Sequence, residues 1–530
     1  MVVVTSGALV ALLVGPMPAT ATGPASRGAS ARAKAGGEPT ASISAVPAPT
    51  TPPAPLPNPV HVAVRVTRAR VSRAIPSGFV GLSFEFRAVK EYAGTNPRSI
   101  NPVLVQLIRN LAPGQTPVLR IGGNSTDNSW WPLPNVAQPP GVTYTLTKNW
   151  LAVTRALAID SRARLILGVN LKLDSPAEAA AEVRAYRTGV GTRYIDALEV
   201  GNEPELYKVF PWYFDATGAV FGRPSTYDFT DYAQEVATLA KRLPGFALAG
   251  PATGTRSWLS HLPQLFAAEP RLKLVTYHRY PLLACFSVPG DPRYPSIPNL
   301  LTLESARHLL DGIAPYIALA HKHGAAFRVD ELNSVACKGQ VGVSDTFASA
   351  LWVLDSLFAV ARSGVDGVNI HTLPQAVYAP FAFHREHGKW VGAVSPEYYG
   401  LLMFTRAAPP GSRLLEVDQT SSADVRSRAT VTPTGLMHVV LINDSLTTGH
   451  IVTVRPPRGA GSAVLERLRA PNVASTTEVT LAGQSFGTLT STGKLAGKVK
   501  SVKVSLTRGR YLIRLPASSA ALLTFAPTAA

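Results

Sequence analysis

Two glutamates, each carried at or just past the end of a short apolar run, are the residues of this sequence best placed to do chemistry. Glu203 follows Ala197-Leu198-Glu199-Val200-Gly201-Asn202 and precedes Pro204-Glu205, while Glu331 closes Ala326-Phe327-Arg328-Val329-Asp330 and precedes Leu332-Asn333. Two carboxyl groups facing one cleft can cleave a glycosidic bond: one protonates the leaving oxygen while the other acts from the opposite side of the ring. At a separation of roughly 5 to 5.5 Å the second attacks the anomeric carbon itself, and configuration is retained. The surroundings must then push their two pKa values apart. Asn202 can hydrogen-bond a sugar hydroxyl, and Tyr277-His278-Arg279-Tyr280 offers a phenol or an imidazole that would orient Glu331 and keep it ionised. One glutamate at a strand end reads equally well as a solvated loop charge or a helix cap. The catalytic reading gains from the second acid and the aromatic-histidine cluster, which agree with it.

Both acids need a scaffold that gathers strand ends, and the surrounding sequence has the rhythm of one. Short apolar runs at 78–85, 118–123, 165–170, 197–202, 246–250, 273–278, 326–331 and 367–371 alternate with helical periodicity, as at 177–187 and 346–361. Eight such units predict a (β/α)8 TIM barrel, whose chemistry sits at the carboxyl ends of the strands. Glu203 then follows strand four and Glu331 ends strand seven. Beyond about Pro409 the helical pattern gives way to runs such as His438-Val439-Val440-Leu441-Ile442 and Tyr511-Leu512-Ile513-Arg514-Leu515, which predicts a C-terminal antiparallel β-sandwich domain over 409–530. The barrel is expected over 77–408. Residues 60–76 open on the alternating His61-Val62-Ala63-Val64-Arg65-Val66, a strand expected to pair with the β-domain.

Bulk properties narrow the class. With 530 residues, 46% hydrophobic and only 16% charged, the chain can bury a large core and is too long for one ordinary domain. Fifty-one Lys and Arg against 33 Asp and Glu give a formal charge of +18, which would suit an acidic glycan. The basic residues are dispersed and lack interleaved aromatics, which argues against nucleic acid. Residues 1–21 combine an apolar run with Ala19-Thr20-Ala21, the small-x-small form of a signal-peptidase site, although a basic start is missing. Residues 22–59, rich in Ala, Pro, Ser and Thr, read as a disordered linker. A secreted protein is expected, with no membrane insertion. Cys285 and Cys337, the two cysteines, are expected to form a disulfide in an oxidising compartment. Neither a phosphate-binding glycine loop nor a Cys/His metal spacing occurs, so no cofactor or metal is expected.

The segments Leu119-Arg120-Ile121-Gly122-Gly123-Asn124-Ser125-Thr126-Asp127, Glu199-Val200-Gly201-Asn202-Glu203-Pro204, Thr276-Tyr277-His278-Arg279-Tyr280, Asp330-Glu331-Leu332-Asn333-Ser334 and Gly342-Val343-Ser344-Asp345-Thr346-Phe347 together resemble glycoside hydrolase family 79, the β-glucuronidases and heparanase. The similarity spans about residues 60–530. It implies Glu203 as acid/base and Glu331 as nucleophile, with the strand from Val60 completing the β-sandwich and Glu85, Asn202, Tyr280 and Tyr378 touching the sugar. Asn124, His278, Lys338 and Gly339 complete the expected substrate-binding set. The sequence departs from the family in Val335-Ala336-Cys337-Lys338-Gly339, where Ala336 stands in place of a tyrosine that binds the uronic acid carboxylate. Lys338 could supply a cation there, or the loop, tethered to Cys285, could shape a subsite for another sugar. Three readings follow: an exported retaining β-glucuronidase, the same mechanism on a neutral sugar, or a catalytically idle carbohydrate-binding module. Retention of both glutamates argues against the last.

Overall fold

The computed structural model describes residues 60–420 and 424–526; the signal peptide and linker expected over 1–59 lie outside them. Eight parallel strands, Val80–Glu85, Val118–Gly122, Arg164–Val169, Ile195–Val200, Leu248–Thr253, Leu272–Arg279, Ala326–Leu332 and Gly367–Thr372, close into a barrel in chain order. They coincide with the eight apolar runs, with one notable shift. The fifth runs past Pro251 to Thr253, where proline reads as a strand stop. Barrel strands are covered on both faces, so they show as continuous apolar runs rather than as alternation.

The outer helices start where the sequence supplies caps. Ser175 accepts a hydrogen bond from the Glu178 amide with Pro176 in the first turn, opening the helix Pro176–Ala185. Asp228 and Asp231 form a reciprocal capping box at the start of Phe229–Ala240. The long helix Phe347–Ser363 is buried almost all round because Pro396–Ala407 packs along it. Among the described residues no helix is long and apolar enough to cross a membrane.

The second sheet has ten strands. Nine follow the order Thr480–Leu481, Ala463–Arg469, Ser519–Phe525, Met437–Asn443, Val425–Val431, Arg413–Thr420, Val60–Arg70, His450–Arg455 and Tyr511–Leu515, with Val502–Val504 alongside the second. Val60–Arg70 lies well inside it, antiparallel to Arg413–Thr420 but parallel to His450–Arg455. The domain is therefore mostly rather than wholly antiparallel, because one interior strand comes from the other end of the chain. The sheet curls over its own core, into which Val62, Val64 and Val66 point together with Val439, Leu441, Ile513 and Leu523. On its other face Val440, Ile442, Ala520 and Leu522 join the main barrel core. Met437–Asn443 thus buries both faces, which is why it lacks the alternation of a surface strand.

Loops at the carboxyl end of the barrel carry elements that the sequence did not announce. A hairpin, Pro211–Asp215 with Gly218–Phe221, follows strand four, and another, Phe381–Glu386 with Lys389–Val394, follows strand eight. The loops after strands six and seven pair briefly through Leu282–Leu283 and Val335–Ala336. Just beyond that pairing Cys285 and Cys337 form a disulfide, with Cα atoms 6.1 Å apart.

Val64 is 1% exposed on an interior strand of the second sheet, and Arg65 beside it points to solvent. Val64→Ala should lower the unfolding free energy by about 2 kcal/mol, whereas Arg65→Ala should change it by less than about 0.5 kcal/mol, as urea denaturation would measure.

Candidate active site

Glu331 lies within strand seven, and Glu203 sits three residues past strand four in a left-handed conformation, φ 46°. Gly201, at φ 78°, is required just before it, because a Cβ there would stand 2.7 Å from the Tyr207 hydroxyl. The turn is fastened by the Glu203 amide, which donates to the Ala252 carbonyl at 2.8 Å. The two acids, 4% and 6% exposed, meet across His278. Its Nδ1 lies 3.1 Å from Glu203 Oε1 and 4.0 Å from Glu331 Oε2, so these oxygens are no more than about 7 Å apart, close enough to act on one glycosidic bond.

Beneath them lies Arg120, an arginine in the middle of strand two that is fully buried. Its Nε donates to Glu199 Oε2 at 2.6 Å and lies 3.2 Å from Asp330 Oδ2; Nη1 donates to Glu331 Oε2 at 2.6 Å and to Ser83 Oγ at 3.2 Å; Nη2 donates to Asn202 Oδ1 at 2.9 Å. Nη2 is also 3.2 Å from His278 Nε2. A guanidinium only donates, so His278 Nε2 is assigned as the acceptor, and Nδ1 carries the proton and donates to Glu203. Glu199, His278 and Asp330 come close enough together to hold a metal ion, but the guanidinium lies among them as the cation.

These contacts separate the protonation states. Burial raises the Glu203 carboxyl well above the usual range, and the charges of Glu331 and Glu205 push it further. Burial would raise Glu331 too, but His371, His278, Arg120 and a hydrogen bond from Tyr280 outweigh it and hold the carboxyl well below the usual range. Burial also pushes His278 down to about 4, so near neutral pH the permanent cation beside Glu331 is Arg120. Asp330 is pushed well upward by burial and by the charge of Glu199. The outcome is one neutral and one ionised glutamate facing the same space.

The phenol expected near Glu331 is that of Tyr280, which donates to Oε1 at 2.8 Å, whereas the imidazole turns its N–H to Glu203. Asn202 Nδ2 donates to Asn124 Oδ1 at 3.3 Å, drawing both amides to the acid side. Glu85, at the end of strand one, accepts from the Ser125 amide at 2.8 Å. It is joined to the pair by His371, whose ring nitrogens lie 3.6 Å from Glu85 and 3.7 Å from Glu331. The Tyr378 ring stands 6.2 Å from Tyr280 and 5.9 Å from His371. Gly339, at φ 88°, lets the loop approach so closely that a Cβ would lie 2.9 Å from the Tyr378 amide, and the Val377 amide donates to the Lys338 carbonyl at 2.8 Å. Lys338 itself is exposed at the outer edge of this loop. Ala336 is fully buried among Tyr280, Leu283, Ala376 and Tyr378, so no phenol is offered from that position.

Sequence reasoning missed Arg120, His371 and Glu205 as members of the site. Arg120 had a visible signal, a charge in the middle of an apolar strand, matched by the acids of Glu199 and Asp330 in two others. His371 closes an unremarkable strand. Glu205 is buried two residues beyond Glu203, where it accepts from Thr253 Oγ1 at 2.6 Å and from the Gly254 amide at 2.7 Å.

Residues 414–522 match the glycosyl hydrolase family 79 C-terminal beta domain. The chain is 23% identical over 512 residues to a beta-glucuronidase of Aspergillus niger, covering 84% of this chain and 90% of the relative. It is likewise 23% identical over 415 residues to a beta-glucuronidase of Neurospora crassa, covering 69% of each. Among solved structures, the 4-O-alpha-L-rhamnosyl-beta-D-glucuronidase of Fusarium oxysporum superposes with a TM-score of 0.67 at 18% identity, over 88% of this chain and 100% of that one. An arabinofuranosidase of Xanthomonas axonopodis gives 0.61 at 14% identity over 88% and 99%. At such identities the two structures share the fold alone.

Arg120→Met should lower stability by roughly 3–5 kcal/mol at pH 7, since Glu199 and Glu331 would be left buried without their cation. A carboxyl held low in the folded state stabilises above its ordinary pKa and loses that contribution as pH falls. The gap between the two proteins, followed by denaturant titration, should therefore narrow below about pH 4.

Proposed function

For this glycoside hydrolase, with the C-terminal β-domain of family 79, we propose that the reaction is hydrolysis of β-glucuronides, or of a closely related β-linked uronide, with retention of configuration. The observation that carries it is the pair of buried glutamates flanking one imidazole, where burial pushes Glu203 up while the neighbours of Glu331 hold it down. Glu331, ionised and oriented by Arg120 and Tyr280, attacks the anomeric carbon and forms a glycosyl ester. The bond to the leaving oxygen breaks as Glu203 delivers its proton there. Once the ester has formed, Glu331 no longer carries its charge, and the carboxylate left at Glu203 can take a proton from water. That water attacks the same carbon, releases Glu331 and returns the proton to Glu203. Glu85, Asn124, Asn202, His278, Tyr280 and Tyr378 are placed around this space to bind the sugar ring.

Choice of a uronide is supported by the likeness to the beta-glucuronidases of Aspergillus niger and Neurospora crassa, the formal charge of +18, and Lys338 with Gly339 on a loop pinned to Tyr378. The neutral-sugar alternative draws on one observation, the buried Ala336 in place of a carboxylate-binding phenol. A binding module would gain nothing from two desolvated acids held in opposite protonation states, which are costly to bury. Export is supported by the apolar start with Ala19-Thr20-Ala21 and by the Cys285–Cys337 disulfide.

Turnover of aryl glucuronide, glucoside, galactoside and arabinofuranoside separates the readings. The glucuronide should be cleaved, and Glu331→Gln should lower kcat/KM at least about 10²-fold. Hydrolysis of a neutral glycoside alone would replace the sugar but keep the two acids; an unchanged Glu331→Gln would remove the mechanism. The raised pKa of Glu203 also predicts a basic limb in the pH profile of kcat/KM, as the acid loses its proton. With a good leaving group, Glu203→Ala should lose that limb, and azide should restore turnover to give the β-glycosyl azide by NMR. The α-azide would contradict retention.

A further inference from the structure

The leaving-group oxygen must lie within hydrogen-bond reach of Glu203, so what it carries leaves the barrel past the chain that follows this residue. That chain runs through the short turn Pro204–Leu206 into the hairpin of Pro211–Asp215 and Gly218–Phe221. Two contacts place it. Trp212 Nε1 donates to Asn128 Oδ1 at 2.9 Å in the loop after strand two, and the Phe210 ring stands 6.2 Å from Phe286 in the loop after strand six. Strands two and six are opposite in a ring of eight. A segment from strand four that touches the loops two strands away on either side therefore lines this half of the barrel mouth.

The exposed part of this segment is apolar. Val209, Phe214 and Phe221 on it are 41%, 71% and 42% exposed, and Phe286 and Val288 in the neighbouring loop are 40% and 69% exposed. The three phenylalanines among the strongly exposed hydrophobic side chains of the described residues all belong to this hairpin and the loop that its Phe210 touches. Scattered apolar side chains are ordinary on a surface, but such a concentration beside a catalytic cleft marks a binding face. Two of the nearby polar groups are already engaged: the Trp212 N–H by Asn128, and Asp215 by the amide and hydroxyl of Thr217, both at 2.7 Å. The disulfide at Cys285, adjacent to Phe286, ties its loop to the loop after strand seven, so the surface is fixed before substrate arrives.

We infer that the group released by this enzyme is a flat apolar alcohol, an aryl or fused-ring aglycone, and that Phe214, Phe221 and Phe286 are the platform that receives it. A following sugar in a polysaccharide would bring hydroxyls that need partners, whereas a hydrocarbon ring gains from aromatic faces without them. The inference rests on Glu203 being the acid, because that assignment decides which side of the site the leaving group occupies.

The test compares phenyl and naphthyl glycosides of the sugar that the panel selects, with leaving phenols matched in pKa, and the same sugar linked to an oligosaccharide. The parent enzyme and a Phe214→Ala/Phe286→Ala variant are measured on all three. We expect the parent to favour the naphthyl over the phenyl substrate by about tenfold in kcat/KM, and the variant to lose that preference while phenyl turnover stays within about threefold. Equal rates on both aryl substrates, an equal loss on both in the variant, or a preference for the oligosaccharide would overturn the inference. None of these outcomes touches the glucuronide reading, whose failure appears as inactivity on every uronide. A protein active on no glycoside overturns both.

Discussion

The active site depends on one guanidinium. Arg120 reaches from strand two to side chains on strands one, four and seven, to Asn202 just beyond strand four, and to the imidazole on strand six. A fully buried arginine is stable only when its donors are satisfied and its charge is matched, and a barrel interior lets several strands supply partners at one level. The same contacts that satisfy Arg120 hold Glu331 ionised and orient Asn202. Since Nη2 can only donate, it also sets the tautomer of His278 and turns an N–H toward Glu203. The geometry of the glutamate pair and the electrostatics of the core are therefore one network.

Glu203 is treated differently because it is not on a strand. Lifted past strand four by the glycine at 201 and a left-handed turn, it makes no hydrogen bond to Arg120, and burial with the charges of Glu331 and Glu205 outweighs the pull of that guanidinium. Two glutamates of the same chemistry thus acquire opposite protonation states through a displacement of a few ångströms from a cation. The loops after strands six and seven add rigidity through a short strand pair and the disulfide; the loop after strand six brings Tyr280 onto Glu331, and Tyr378, from the loop after strand eight, stands beside it.

The β-domain is bound to this barrel by a core that runs through both. Val440 and Ile442 face the barrel while Val439 and Leu441 face the domain's own interior, so one strand is shared between two cores. The interior place of Val60–Arg70 means that the second sheet cannot be completed until both ends of the chain have come together. Such non-local pairing is slow to form, but it leaves the barrel held at its first strand and at its last helix.

By itself the sequence determined the eight strands, the two glutamates at their ends and the domain of strands that follows, because each is written in local periodicity and short motifs. It also marked the joining of Cys285 to Cys337, since two lone cysteines with an export-like start leave few alternatives. Tertiary structure alone decided that Arg120 gathers the site, that His278 serves Glu203 while Tyr280 serves Glu331, and that Ala336 is sealed beneath two tyrosines. Those outcomes follow from which side chains meet across the barrel, from residues as far apart as 120 and 331. Local pattern places a charge on a strand, but only closure of the ring decides which charge it faces.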